Sequence, residues 1–107
     1  MENKIKPDEL AWTTGKVKGF HGKEFIHQEK GTVKLIKVDP FATYPEHLHP
    51  NKTEYALVLE GNPEFVIGKQ YYTSERGDFF IFPANTKHAI INNANAECLL
   101  LIGAIDV

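Results

Sequence analysis

Sulfur is scarce in this chain, with one cysteine and one methionine among 107 residues. A lone thiol, Cys98, can close no internal disulfide, which fits a reducing compartment better than the oxidising ones where small domains are stapled by cystines. It lies in the run Cys98-Leu-Leu-Leu-Ile102, the setting of a small buried core residue rather than of a reactive thiol. No apolar stretch approaches the ~18 residues needed to cross a bilayer, and residues 1–7 carry no apolar leader segment. The expected location is therefore cytoplasmic, with no membrane partner. Neither sign of charge is in excess: 12 basic and 14 acidic residues leave a net charge of −2, so no electrostatic footprint for nucleic acid exists. A sustained 3.6-residue apolar period is also missing, which leaves little room for helix.

What the chain does contain is a succession of short β-like runs. With 42% apolar residues, 107 residues suffice for one domain with a single core. Residues 1–22 read as an N-terminal arm, in which Trp12 is placed to staple the arm to the body and one short strand is expected near Lys16 to Phe20. Residues 23–107 read as the body. Its expected strands are Glu24–Gln28, Thr32–Asp39, Glu54–Glu60, Glu64–Ile67, Gln70–Thr73, Asp78–Phe82, Lys87–Ile91 and Glu97–Ile105, separated by turn pairs such as Lys30-Gly31, Gly68-Lys69 and Arg76-Gly77. Such spacing predicts an all-β sandwich or barrel. Alternation is clear in Thr32 to Val38 but blurred in Phe79-Phe-Ile-Phe82, where burial on both faces would imply cover from a second copy, hence a homodimer.

The chemistry concentrates between His47 and Asn92. Side chains two apart on a strand share a face, so His47 and His49 can meet one ion. The connection Pro50-Asn-Lys-Thr53 can fold the chain back to bring Glu54 beside them, and His88 arrives from a later strand behind the turn of Pro83 and Asn85. These four read as the ligands of one metal ion. His21 and His27 stand alone among polar neighbours and read as surface or partly satisfied side chains.

These residues resemble the two motifs of the cupin superfamily. The first is Gly, five residues, His-x-His, three or four residues, Glu, six residues, Gly; here it runs His47, His49, Glu54, Gly61, with Phe41 in place of the opening glycine. The second is Gly, five residues, Pro-x-Gly, two residues, His, three residues, Asn; here it runs Gly77, Pro83, His88, Asn92, with Asn85 in place of the second glycine. The match covers about half of the chain. It implies a six- to eight-stranded double-stranded β-helix, or jelly-roll barrel, a metal held by His47, His49, Glu54 and His88, and frequent dimerisation.

Three imidazoles and a carboxylate without sulfur suit a divalent transition metal, with Fe(II) or Mn(II) expected ahead of Ni(II), Zn(II), Co(II) and Cu(II). Four protein ligands leave positions open for substrate. The expected function is metal-dependent catalysis on a small oxygen-bearing organic substrate, dioxygenase-like or else an isomerase or lyase, with Glu54 also able to accept a proton transiently. The alternative is a non-catalytic module that binds a metal or small ligand. Extending the alternation, Ala56, Val58 and Ile90, with Phe65, Phe80 and Phe82, are expected to line an apolar cavity. No converging basic pair is visible in the sequence, and the tyrosines, Tyr44 among them, read as strand residues.

Overall fold

The structure is a computed structural model that describes residues 3–107. After a single 3-10 turn at Pro7–Glu9, ten strands follow: β1 (Thr13–Thr14), β2 (Phe20–Gln28), β3 (Gly31–Val38), β4 (Thr43–His47), β5 (Lys52–Glu60), β6 (Glu64–Ile67), β7 (Gln70–Tyr72), β8 (Phe79–Phe82), β9 (His88–Ile91) and β10 (Cys98–Asp106). They form a six-stranded sheet in the order β1-β2-β3-β10-β5-β8 and a four-stranded sheet in the order β4-β9-β6-β7. This is the expected all-β jelly-roll. The last strand, β10, is inserted between β3 and β5, antiparallel to both, with Leu100 opposite Ile36 on one side and Val58 on the other.

Period-2 burial decides which residues face inward. Val38, Ala56, Val58, Phe82, Cys98 and Leu100 from the larger sheet meet Phe65 and Ile90 from the smaller one, and all are buried. Full burial of a side chain such as Leu100 or Phe65 is worth about 1.5–3 kcal/mol, so this layer supplies most of the drive for the two sheets to close on each other. Phe65 stacks on Phe80 with centroids 4.2 Å apart. Cys98 is part of this layer, and burial raises its thiol pKa, as expected of a structural cysteine. Gly61, at φ +86°, turns the chain out of β5 where a Cβ would lie 2.7 Å from Cys98 Sγ, so both the angle and the space call for glycine.

The N-terminal segment departs from expectation in detail. No strand forms over Lys16 to Lys18; β1 is Thr13–Thr14, paired with Gly22 and His21, and β2 starts at Phe20, three residues ahead of the boundary drawn at 22/23. Gly15 and the residues after it turn the chain between those two strands, and turn geometry overrides the weak strand signal there. Trp12 does hold this segment to the body. Its ring lies under two ammonium groups, Lys23 Nζ at 4.5 Å and Lys37 Nζ at 4.8 Å, and Lys23 Nζ also donates to the Pro7 carbonyl at 2.7 Å.

The strand Phe79–Phe82 alternates after all: Phe82 is buried and Phe80 packs against the core, while Phe79 and Ile81 are each 55% exposed on the outer face. Beside them on that face Tyr55 stacks on Phe79, and its ring lies over Gly103 so closely that a Cβ there would sit 2.2 Å from Tyr55 Cζ.

Candidate metal centre

Four elements bring the predicted ligands together. His47 ends β4 and pairs in register with His88, the first residue of β9. Glu54 lies inward on β5, opposite Phe82 of β8. His49 sits two residues past the end of β4, outside regular strand, yet its ring stays 5.2 Å from that of His47. What holds it there is backbone: the Asn85 N–H donates to the His49 carbonyl at 2.8 Å, and Asn85 adopts φ +60° to do so. An asparagine accepts this left-handed conformation more readily than most residues, which is why it can stand in the glycine position.

The four side chains each offer one donor atom, and these atoms all lie within 4.8 Å of one another. Glu54 Oε1 is 3.1 Å from His88 Nε2 and 3.2 Å from His49 Nε2. Two of the rings are oriented by their other nitrogen. His88 Nδ1–H donates to the Thr86 carbonyl at 3.1 Å, and His47 Nδ1–H donates to the Pro45 carbonyl at 2.9 Å. A carbonyl can only accept, so in both rings Nδ1 carries a proton and Nε2 faces the cluster, where it offers a lone pair to an ion once it holds no proton of its own. Phe82 stacks on His88 at 4.5 Å with an interplanar angle of 8°, and Tyr44 packs on His47 at 4.5 Å.

Electrostatics favour ion binding. Burial lowers the pKa of His47, assisted by the neighbouring His88 and against the pull of the Pro45 carbonyl and of the Glu54 carboxylate, which favours the neutral ring. Burial alone would raise the Glu54 pKa, but the hydrogen bond from His88 and the charges of His49, His88 and His47 outweigh it and hold the carboxylate below its ordinary range. Neutral imidazoles and an ionised carboxylate are the protonation states that a divalent metal needs. The donor set therefore fits the ion.

The cluster forms the floor of a cavity of about 600 Å³. Its apolar wall includes Phe20, Ile36, Tyr44, Phe82, Ile90 and Ile102. Of the six residues expected to line it, two do so. Phe82 and Ile90 do line the cavity, whereas Ala56, Val58 and Phe65 are consumed by the core between the sheets and Phe80 packs against it, because alternation gives the face but not the depth along the strand. Tyr44, expected as a strand residue, does lie in β4 against the core, and it also faces the cavity beside His47. Two lysines, Lys16 and Lys34, also line the cavity, contrary to the expectation of no converging basic groups. They are 18 residues apart in sequence, and only the β2–β3 pairing with its preceding turn brings them to one opening.

The remaining histidines lie outside the cluster, although His21 lines the cavity. His21 is held between Thr14 Oγ1 at 3.2 Å and Asp39 Oδ2 at 3.0 Å, and His27 pairs with Glu24 at 3.2 Å. Asn92, buried to 1% exposure, donates through Nδ2 to the carbonyls of Asp39 and Ala96 and accepts from the Ala94 N–H. It ties the end of β9 to the start of the segment carrying His47, a bracing role at the last position of the second motif. No helix among the described residues is long and apolar enough to cross a membrane.

Comparison with known proteins agrees with this architecture. A family model described as "Cupin domain" matches residues 34–103. "Putative germin-like protein 2-2" of Oryza sativa subsp. japonica is 35% identical over a 78-residue alignment that covers 64% of this chain and 35% of that protein. The chain thus spans about a third of the length of the curated relatives it matches. Among solved structures, a predicted oxalate decarboxylase from Thermotoga maritima superposes with a TM-score of 0.89 at 18% identity, covering 97% of this chain and 99% of that one. The polyketide cyclase RemF from Streptomyces resistomycificus superposes with a TM-score of 0.86 at 18% identity, covering 98% and 80%. At these identities the likeness is one of fold.

Proposed function

The chain belongs to the cupin family, and from that premise we propose that it is a small metal-dependent enzyme acting on an oxygen-bearing organic substrate. One observation carries the reading: four donor atoms within 4.8 Å of one another, at the floor of a cavity open to a small molecule. His47 and His88 would hold the ion through Nε2, His49 through a ring nitrogen and Glu54 through a carboxylate oxygen. Three nitrogens and one oxygen without sulfur favour Fe(II) or Mn(II), with Ni(II), Zn(II), Co(II) and Cu(II) as competitors. When bound, such an ion supplies Lewis acidity and vacant coordination positions for a substrate oxygen.

The chain's own residues supply the rest. Glu54 contributes negative charge that the imidazoles lack, and its lowered pKa keeps it ionised as a ligand. As the one carboxylate in the cluster, it is also the group that would take up a proton transiently from substrate on leaving the ion during turnover. The apolar wall excludes water from the reacting centre and selects a compact substrate. Among reactions, dioxygenase-like cleavage of a diketone or phenolic compound leads, with isomerisation or lysis of a hydroxylated acid as the nearest variant. The location is proposed as cytoplasmic.

Elemental analysis of protein purified without oxygen tests the first half: about one transition metal per chain is expected, and protein that neither carries one nor takes one up after chelation and refilling refutes the proposal. Oxygen uptake by the metal-loaded protein with diketones, flavonols and catechols tests the second. Metal-loaded protein that consumes no oxygen, yet melts higher with one of these compounds, would move the assignment to the binding module.

A homodimer is part of the same proposal. The outer face of the six-stranded sheet exposes Phe79, Ile81 and Ile105, each at 55%, next to Tyr55. An apolar sheet face of this kind is the surface a second copy would cover.

A further inference from the structure

Lys34 is on the inward face of β3, where the positions that follow it are apolar. On β3 it shares its face with Ile36, packed on the core, and Val38, fully buried. Its neighbours across the sheet on that face are Glu24 of β2 and Ile102 of β10, and Ile102 in turn opposes Ala56 of β5, two residues from Glu54. Lys34 and the cluster therefore stand on one concave surface, two strands and two residues apart, roughly 12 Å between Cα atoms. Lys16, from the turn between β1 and β2, lines the same cavity.

The local charge at this end of the cavity is not self-compensated. Glu24 lies directly across from Lys34 in register, but a bulge at Phe25 places His27 within reach, and the Glu24 carboxylate is engaged by His27 Nδ1 at 3.2 Å. Among the described residues, neither Lys16 nor Lys34 forms an ion pair with a carboxylate. The cavity thus has a cluster of metal-type donors at its floor, an apolar middle of Ile36, Ile102 and Phe82, and towards its rim two ammonium groups against the single carboxylate of Glu24.

We infer that Lys34, assisted by Lys16, selects substrates carrying a carboxylate remote from the oxygen that meets the metal. Such a ligand has roughly five to ten non-hydrogen atoms, set by the span between the two ends. A lysine fits this role as a mobile point charge on a flexible stem, able to follow ligands of somewhat different length. The inference rests on the proposed metal site, and its test separates the two.

The probes are glutarate and its monoamide, which are nearly isosteric and differ by one anionic end. Each is titrated calorimetrically into the full chain loaded with Ni(II), after metal content has been measured. Glutarate should bind about tenfold more tightly than the monoamide. Lys34→Met should bring the two within about twofold while metal content and melting temperature stay unchanged, and Lys34→Arg should keep most of the preference. Lys16→Met should give a smaller loss in the same direction. Equal affinities in the unaltered protein, or a preference that survives Lys34→Met, would overturn the inference and leave the metal site standing. Failure of the unaltered protein to take up Ni(II) or any other divalent transition metal would overturn both.

Discussion

Phe82 is the cross-strand partner of Glu54 and at the same time stacks face to face on His88, 4.5 Å away at 8°. One apolar side chain therefore sets the relative position of two of the four donors, which come from different sheets. Replacing Phe82 with leucine keeps the residue apolar but removes the flat surface against which the imidazole rests. Metal affinity, read by competition with a chromophoric chelator, should fall by about tenfold, in line with other changes to groups that orient a ligand. The apo-protein should lose about 1–2 kcal/mol in urea titration, less than the ~3–5 kcal/mol expected for Phe82→Ala. Unaltered metal affinity in the leucine variant would show that the stacking does not orient His88.

The four ligands should differ in what they do for the metal-free fold. His88 is 3% exposed and engages both Glu54 and the Thr86 carbonyl, whereas His49 is 42% exposed. Either substitution by alanine should abolish stoichiometric metal binding. Only His88→Ala should greatly weaken the apo-protein, by about 2–3 kcal/mol, because it leaves the partly buried Glu54 without its more enclosed partner. His49→Ala should cost well under 1 kcal/mol before metal is added. Urea titrations of the chelated proteins decide the order, and equal losses would contradict the burial argument.

Gly103 lies in the middle of β10, where glycine normally weakens a strand. The Tyr55 ring fills the space over it, with Cζ 2.2 Å from where a Cβ would stand. Gly103→Ala should therefore destabilise by about 1–3 kcal/mol through overpacking, although alanine is otherwise the better strand residue. Adding Tyr55→Ala should recover part of that loss, and the non-additivity in a double-mutant cycle measures the contact. Strict additivity would refute the account.

Phe41 occupies the place of a glycine in the first motif and takes the glycine conformation, φ +59°, with its side chain 66% exposed. The turn shape is kept and the strain is borne by the phenylalanine. A left-handed angle costs a non-glycine residue about 1–2 kcal/mol, and little burial is lost on removing the ring. Phe41→Gly should raise stability by about 0.5–1 kcal/mol, after the larger unfolded-state entropy of glycine is allowed for. Metal content should not change. A lower melting temperature would mean that the exposed ring has a partner in the assembled protein.

The outer apolar face gives the fifth test. If two copies cover it, Phe79→Lys together with Ile81→Glu should convert a dimer to a monomer in sedimentation, at unchanged metal content, since both side chains point away from the cavity. A monomeric unaltered protein at micromolar concentration would remove the dimer from the proposal.

The sequence by itself determined the strand-rich class, most strand positions and all four members of the donor cluster. Turn residues and a two-residue alternation are local signals, and His47, His49, Glu54 and His88 are placed by motif spacing that the chain preserves. Local signals failed where two structures compete over a few residues, as at Lys16 to Phe20, and where a strand lay hidden by turn-like neighbours, as at Thr43–His47. Tertiary structure alone decided which inward residues were absorbed by the core and which reached the cavity, because that depends on the register of β10 between β3 and β5. It decided that Phe82 supports His88, that Asn85 anchors His49, and that Lys16 and Lys34 open onto the same space as the donor cluster. Alternation along one strand says which face a side chain takes; only pairing between distant strands says what it will find there.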